Sequence, residues 1–249
     1  MEPLRIGCAG WSIPRASREE FPASGTHLQR YATRFRAVEI DSSFYRAHTR
    51  TIYERWAAST PEGFRFAVKL PRTVTHYGGL ADLTPLAGFL DQVAGLGPRL
   101  GPLLVQLPPR LAFVPARVEA FFAHLREGFT GPVVCEPRHA TWFTPEAEEI
   151  LRTFLVARAA VDPAPVPAAA APGGWPGLVY YRLHGSPRRY YSAYPPSYLQ
   201  SLATKLLAAR AEKTEVWCIF NNTATGAATA DALGLMKICA EAEDKSEGE

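Results

Sequence analysis

The chain has 249 residues, 47% of them apolar, and a formal net charge of +3 from 27 Lys and Arg against 24 Asp and Glu. That length accommodates one large α/β domain or two small ones, and so mild a basic balance does not by itself argue for a nucleic-acid partner. No apolar stretch is long enough to span a bilayer, and no basic segment leads into an apolar run at the N-terminus, so a cytoplasmic protein with no membrane partner is expected. Cys8, Cys135, Cys218 and Cys239 show neither C-x-x-C pairing nor zinc spacing, which predicts free thiols.

In chain order, eight short β-like runs are predicted at 5–10, 37–41, 64–70, 102–107, 132–136, 156–161, 179–184 and 216–221. Helical patterns lie between most of them. Leu28, Tyr31, Ala32 and Phe35 keep helical spacing after a capping candidate at Thr26. Thr84-Pro85 and Thr144-Pro145 each read as an N-cap followed by proline at the first helical position. Val118, Phe121, Phe122 and Leu125 form another stripe, as do Leu199, Leu202, Leu206 and Leu207, and a last helix is expected over 227–240.

The starts of these runs are 23 to 38 residues apart, the length of a β-loop-α-loop unit. Eight such units predict an α/β fold, a single (β/α)8 TIM-type barrel over residues 1–240. Pro163–Gly177 carries five prolines, so the helix between strands 6 and 7 is expected to be missing, replaced by a mobile or extended loop. A doubly wound sheet is the competing architecture, but no G-x-G-x-x-G follows the first run. The polar, acidic residues 241–249 read as a frayed tail.

The stretch 37–46, AVEIDSSFYR, puts Val38 and Ile40 on one strand face and Glu39 and Asp41 on the other. Two carboxylates facing an ordinary dry core are costly, so they serve chemistry, cap a helix or pair with buried arginines. In a barrel the last inward residue of each strand faces the mouth. The polar residues at that level are Asp41, Lys69, Gln106, Glu136, Asp162, His184 and Asn221, each preceded by an apolar residue. Such a ring of polar groups fills a dry core poorly and predicts a site.

Several blocks together resemble the YecE-like family known as "domain of unknown function 72". They are Gly7-Cys8-Ala9-Gly10-Trp11-Ser12, residues 38–46, Phe64 to Lys69, Thr75-His76, Leu100 to Pro109, Glu136 to His139 with Trp142-Phe143, Arg182 to Gly185, and Phe220-Asn221-Asn222. The resemblance runs from Arg5 to about Met236. It implies a TIM-type barrel and no particular reaction. The chain departs from the family pattern at Asn222-Thr223 and at Ile13-Pro14-Arg15, which weakens any inference of one shared substrate.

The residues suggest roles of their own. Asp41 and Glu136 are the candidate acid–base pair, with Glu136 tunable toward neutrality by burial, and Lys69 or His184 the electrophile or proton shuttle. Arg138 or Arg188 would clamp an anion, while Arg182 is expected to pair with a carboxylate one layer down. Gln106, His76, His139 and Asn221 are further candidates for substrate binding, and His27, His48 and His124 are expected at the surface. No cofactor is predicted. A divalent metal on Asp41, Glu136, His139 and His184 is the less favoured alternative, because Lys69 at that level would repel it. Trp11, Tyr45, Trp142, Tyr190, Tyr191 and Tyr194 follow strand ends, where rings stack on sugars or bases.

Two functions remain in view. The first is an isomerase, epimerase or hydrolase acting on a small polar, anionic sugar- or nucleotide-like substrate. The second is a non-catalytic nucleic-acid or nucleotide binder using the loop 186–194, SPRRYYSAY, with its interleaved arginines and tyrosines. The mild net charge disfavours the second. Oligomeric state is not legible in the sequence.

Overall fold

The computed structural model describes residues 4–212 and 214–247. Ten strands are present among them: β1 (Leu4–Cys8), β2 (Ala37–Ile40), β3 (Arg65–Lys69), β4 (Leu100–Gln106), β5 (Val133–Glu136), β6 (Val156–Arg158), β7 (Ala160–Asp162), β8 (Gly173–Gly174), β9 (Leu178–Leu183) and β10 (Glu215–Phe220). They form two sheets, one ordered β1-β10-β9-β7 and the other β2-β3-β4-β5-β6-β8. All pairings are parallel except β6 with β8. The expected single closed eight-stranded barrel is therefore corrected to a mixed α/β fold with sheets of four and six strands.

Two local features separate the sheets. Between β1 and β2 the hydroxyl of Tyr31 enters the ladder, accepting from the Cys8 N–H at 2.8 Å and donating to the Ala37 carbonyl at 3.0 Å. A phenol thus replaces a backbone pair, and beyond it a bridge of Ala9 with Glu39 joins the two segments, with the Gly10 N–H on the Glu39 carbonyl at 2.8 Å. Gly7 permits the approach, since a Cβ there would lie 2.1 Å from the Ala37 carbonyl oxygen. On the other side, the run expected as one strand over 156–161 breaks at Ala159. Its first half pairs with β5 and its second with β9.

The helices are α1 (His27–Tyr31), α2 (Arg50–Ala58), α3 (Thr84–Val93), α4 (Pro115–Gly128), α5 (Pro145–Thr153), α6 (Pro196–Ala211) and α7 (Ala227–Glu247). Two of the three predicted caps act, but Thr84 does not: it is the first residue of α3, its N–H donating to Asp82 Oδ1 at 3.0 Å, and the N-cap position of that helix makes no side-chain cap bond. Thr26 and Gln29 form a reciprocal capping box on α1, and the Thr144 hydroxyl accepts from the Ala147 N–H. Helix α7 continues through most of the segment expected to fray, while 248 and 249 lie outside the described residues. No described helix is long and apolar enough to cross a membrane.

The proline-rich stretch holds no α-helix. It contains a 3-10 turn at Pro167–Ala170 and the two residues of β8. It is pinned rather than loose, because buried Arg158 pairs with Glu148 and donates to the carbonyls of Ala168 and Ala171 at 3.1 Å each.

Two apolar clusters result. The larger packs one face of the strands against the helices. The smaller consists mainly of the opposite strand faces, including Ala37, Ala67, Leu104, Val134, Ala157, Val161, Tyr180, Trp217 and Ile219, drawn from both sheets. Val161 lies in this inner cluster, so Asp162 points outward, where its carboxylate accepts from the Tyr194 hydroxyl at 2.9 Å. The strand phase expected at Asp162 was wrong by one residue. His48, expected at the surface, is buried with its ring on Trp56 and its Nε2 2.9 Å from the Ser42 hydroxyl.

Candidate functional site

All seven predicted polar residues lie at the C-terminal ends of strands, and the six other than Asp162 gather on the inner side. Asp41 follows β2, Lys69 ends β3, Gln106 ends β4, Glu136 ends β5, His184 follows β9 and Asn221 follows β10. They form two layers, one buried and one facing a cavity.

Arg182 is the centre of the buried layer, at 1% exposure. Its Nε lies 3.1 Å from both oxygens of Glu39, and its Nη2 is 2.8 Å from Oε1 of the same carboxylate. The other nitrogen, Nη1, reaches Oε2 of Glu136 at 2.9 Å, and Nη2 also approaches Oδ1 of Asp41 at 3.3 Å. The Tyr180 hydroxyl donates to Glu39 at 2.9 Å. Arg138 donates to Oε1 of Glu136 from above, at 2.9–3.0 Å. One guanidinium thus holds three carboxylates, the arrangement that a planar fork of fixed donors permits.

These contacts settle the charge states. Burial acts to raise the carboxyl pKa of Glu136, but Arg182, Arg138 and His184 overcome it and hold the group well below its ordinary range. The expected drift toward neutrality is reversed: Glu136 is fixed as an ion pair. His184 is pushed down to about 4, first by burial and then by Arg182 and Arg138, against the pull of Glu136. It is neutral at pH 7. The Asn221 amide lies 3.2 Å from Nδ1, and Nε2 lies 3.5 Å from Oε1 of Glu136.

The upper layer lines a cavity of about 240 Å³ walled by Asp41, Tyr45, Lys69, Gln106, Arg138, Arg182, Tyr190, Asn221, Thr223 and Ala224. Lys69 Nζ donates to Oδ1 of Asp41 at 2.9 Å and sits 4.0 Å from the centroid of the Phe44 ring. Local structure builds this pair. The Ser43 hydroxyl reaches the carbonyls of Ile40 (2.9 Å) and Lys69 (2.7 Å), which binds the 3-10 turn after β2 to the end of β3. Burial and the neighbouring Arg182 lower the Lys69 pKa, while Asp41 opposes them. Burial would raise the Asp41 pKa, but Lys69 and Arg182 bring it below its ordinary value.

The remaining candidates divide. Gln106 lines the cavity but also donates to the Leu107 carbonyl at 2.7 Å. Trp142 is fully buried with its indole N–H on the Leu111 carbonyl, and Trp11 packs edge-on against Trp56, so neither lines the cavity. His139 caps the turn before α5 through Thr141. His76 lies edge-on to Phe44 with its pKa lowered to about 4 by burial and by Lys69, Arg138 and Arg110. Arg188 and Tyr191 stack on each other at 3.9 Å away from the cavity wall.

Sequence reasoning named Tyr190 only as one of several rings after strand ends and Thr223 only as a departure from the family pattern, and it did not single out Tyr180. Tyr190 is held at φ 71°, an uncommon conformation for a bulky residue, by hydrogen bonds from its N–H to the His184 carbonyl and from the Ala224 N–H to its own. Its ring stands edge-on to His184 at 5.7 Å. Among the described residues no group of three His, Cys, Asp or Glu is arranged to hold a metal ion.

Known proteins similar to this chain agree on the family and leave the reaction open. The UPF0759 protein YecE of Escherichia coli K12 is 32% identical over 174 residues, which are 67% of this chain and 61% of that protein. The UPF0759 protein YunF of Bacillus subtilis 168 is 30% identical over 165 residues, 62% of this chain and 57% of that protein. The chain thus spans about three-fifths of the length of these curated relatives. Among solved structures, a DUF72 family protein from Thermotoga maritima MSB8 matches with TM-score 0.76 at 25% identity, covering 94% of this chain and 98% of that one. Another from Enterococcus faecalis V583 matches with TM-score 0.78 at 21% identity, covering 96% of each, a likeness of fold alone. The family model described as "Protein of unknown function DUF72" matches residues 5–248, and the chain belongs to that family.

Proposed function

We propose that this protein is an enzyme that moves protons on a small polar, anionic substrate of about sugar size, bound in the cavity between Asp41 and Arg138. The observation that carries this reading is the Lys69–Asp41 pair. An amine of lowered pKa and an ionised carboxylate face one polar cavity, bonded to each other at 2.9 Å. Asp41 takes the role of base. The Lys69 ammonium stabilises the developing negative oxygen or returns the proton, and Gln106, Asn221 and Arg138 hold the substrate's oxygens. This chemistry needs no cofactor. Glu136 does not take part directly; it orients Arg138 and Arg182.

The cavity volume supports a small substrate. At ~30 Å³ per water, 240 Å³ holds about eight waters, below the ~300 Å³ at which sites for drug-sized ligands begin. One cavity-facing carboxylate and one ammonium favour isomerisation or epimerisation over glycoside hydrolysis, which asks for two carboxyl groups, one of them protonated. Nucleic-acid binding through 186–194 is the weaker reading: Tyr194 is buried, and Arg188 already covers a face of Tyr191.

The test is a screen of sugars, sugar acids and their phosphates for thermal stabilisation of the wild-type protein. Each hit is then followed by proton–deuterium exchange at substrate carbon, read by NMR. Exchange that disappears in Asp41→Asn supports the reading. Ligands that bind without exchange or turnover would leave a binding protein instead.

A further inference from the structure

A second pocket, of about 340 Å³, shares Tyr45 with the cavity as a lining residue. Phe44, Pro71, Pro85 and Phe89 give it apolar sides, and Arg46, Arg72 and Tyr77 give it a charged and aromatic rim. Arg72 lies 5.9 Å from the ring centroid of Tyr45 and 5.3 Å from that of Tyr77, so its guanidinium is held between two tyrosines. Those rings are 61% and 68% exposed.

The two arginines of this pocket differ from those of the cavity. Arg182 and Arg138 are bonded to carboxylates, whereas no described carboxylate lies within 4.0 Å of Arg46 or Arg72. A guanidinium held near rings by cation–π attraction, with no carboxylate partner, keeps N–H donors available for an anion. The backbone that places it is unusual. Thr73–Tyr77 is a π-turn, closed by the Gly78 N–H on the Thr73 carbonyl at 2.8 Å, and Leu80 follows at φ 67°. Rare turns and positive φ at non-glycine residues persist where the surroundings over-determine them, and they cluster at ligand sites.

We infer that the Arg46–Arg72–Tyr77 pocket is a phosphate subsite, which receives the phosphoryl group of a substrate whose reacting part lies in the neighbouring cavity. Two uncompensated guanidinium groups match a dianion better than a single carboxylate, and arginine forks suit phosphate oxygens. Resting on the proton-transfer reading, the inference narrows the substrate class to a small organic phosphate. Binding energy gained at this remote group is available to position the reacting end.

The experiment is titration with inorganic phosphate at constant ionic strength, followed by 31P NMR, for wild type, Arg72→Gln, Tyr77→Ala and Lys69→Met. The expected result is saturable binding to wild type, weakened at least tenfold in Arg72→Gln, weakened less in Tyr77→Ala and unchanged in Lys69→Met. All three variants are checked for unchanged far-UV circular dichroism. Absence of saturable binding at 20 mM phosphate, or binding indifferent to Arg72→Gln, overturns the subsite. Binding lost in Lys69→Met but kept in Arg72→Gln also overturns it, because the anion then sits in the cavity. None of these outcomes touches the proton-transfer reading, which is decided by exchange at substrate carbon. Phosphate binding at Arg72 likewise stands if no exchange is ever found.

Discussion

Arg182 sets its Nε 3.1 Å from each carboxylate oxygen of Glu39, and this pair joins β9 of one sheet to β2 of the other, with both side chains shut off from water. The two sheets share few backbone contacts near β2, so a charge pair crosses the inner core where hydrogen-bonded strands do not. Removing one partner leaves the other charge buried. Glu39→Gln is expected to lower unfolding stability by about 3–5 kcal/mol in urea titration. Glu149→Gln, which breaks an exposed helical pair with Arg152, is expected to change it by less than ~0.5 kcal/mol. A Glu39→Gln effect as small as the surface one would mean that the pair does not hold the sheets together.

Stability should also fall with acid before ordinary carboxylates titrate. His184 has its pKa depressed to about 4 in the folded state, against an ordinary 6.5. The unfolded chain therefore binds its proton first as pH falls, so this contribution is present above about 6.5 and is lost between 6.5 and 4. The full depression corresponds to about 3 kcal/mol. His76, also lowered to about 4 but partly exposed, adds to the same window. Glu136 and Asp41, both depressed, add a further loss below about 4.5. Urea titrations at a series of pH values should show a slope between 6.5 and 4 that flattens in His184→Gln. A wild-type curve already flat in that window would contradict a buried neutral histidine.

Once a substrate is in hand, Asp41→Asn and Lys69→Met should each reduce kcat by about 10²- to 10⁴-fold while leaving the fold intact, since Asp41 is partly exposed and methionine fills the lysine's stem. Glu136→Gln should instead be poorly stable, because it removes a carboxylate held by both Arg138 and Arg182. The wild-type rate should decline with rising pH at a value below 10.5, as Lys69 loses its proton, and with falling pH only below 3.8, as Asp41 gains one. An alkaline limb unchanged in Lys69→Arg would remove the amine from the mechanism.

The thiols give a simpler check. Cys8, Cys135, Cys218 and Cys239 are all buried and unpaired, and burial pushes the Cys8 thiol up to about 12 and that of Cys239 to about 11. A thiol reagent at pH 8 should find none reactive in the native protein and four after denaturation. Rapid labelling of one in the native state would show that its helix or strand opens readily.

Much of the site was legible in the alternation of its strands. A polar residue at a strand end, in phase with the inward residue two positions earlier (apolar at Ala67, Leu104, Val134 and Ile219, charged at Glu39 and Arg182), is a signal of period two. The structure gathers Asp41, Lys69, Gln106, Glu136, His184 and Asn221 at the strand ends, four of them on the cavity wall and Glu136 and His184 beneath it. The same rule failed at Asp162, because the strand breaks at Ala159 and Val161 is the inward residue. Aromatics were harder. Trp11 and Trp142 look like Tyr45 in sequence, yet they pack into the outer core, and nothing local distinguishes a ring that faces a cavity from one that fills a gap.

The sequence by itself determined most of the strands and helices, the free thiols and all but one of the inward polar strand ends, because each depends on periodicity or on a residue's own chemistry. Only the tertiary structure decided that the strands form two sheets, since the interruption comes from Tyr31, a helix residue whose hydroxyl reaches into the ladder between Cys8 and Ala37. It alone decided the charge states too. Glu136 read by itself is a buried acid that drifts toward neutrality. The guanidinium of Arg182, 46 positions along the chain, reaches it at 2.9 Å and keeps it ionised. Electrostatic energy depends on distance in space, and a linear sequence does not contain that distance.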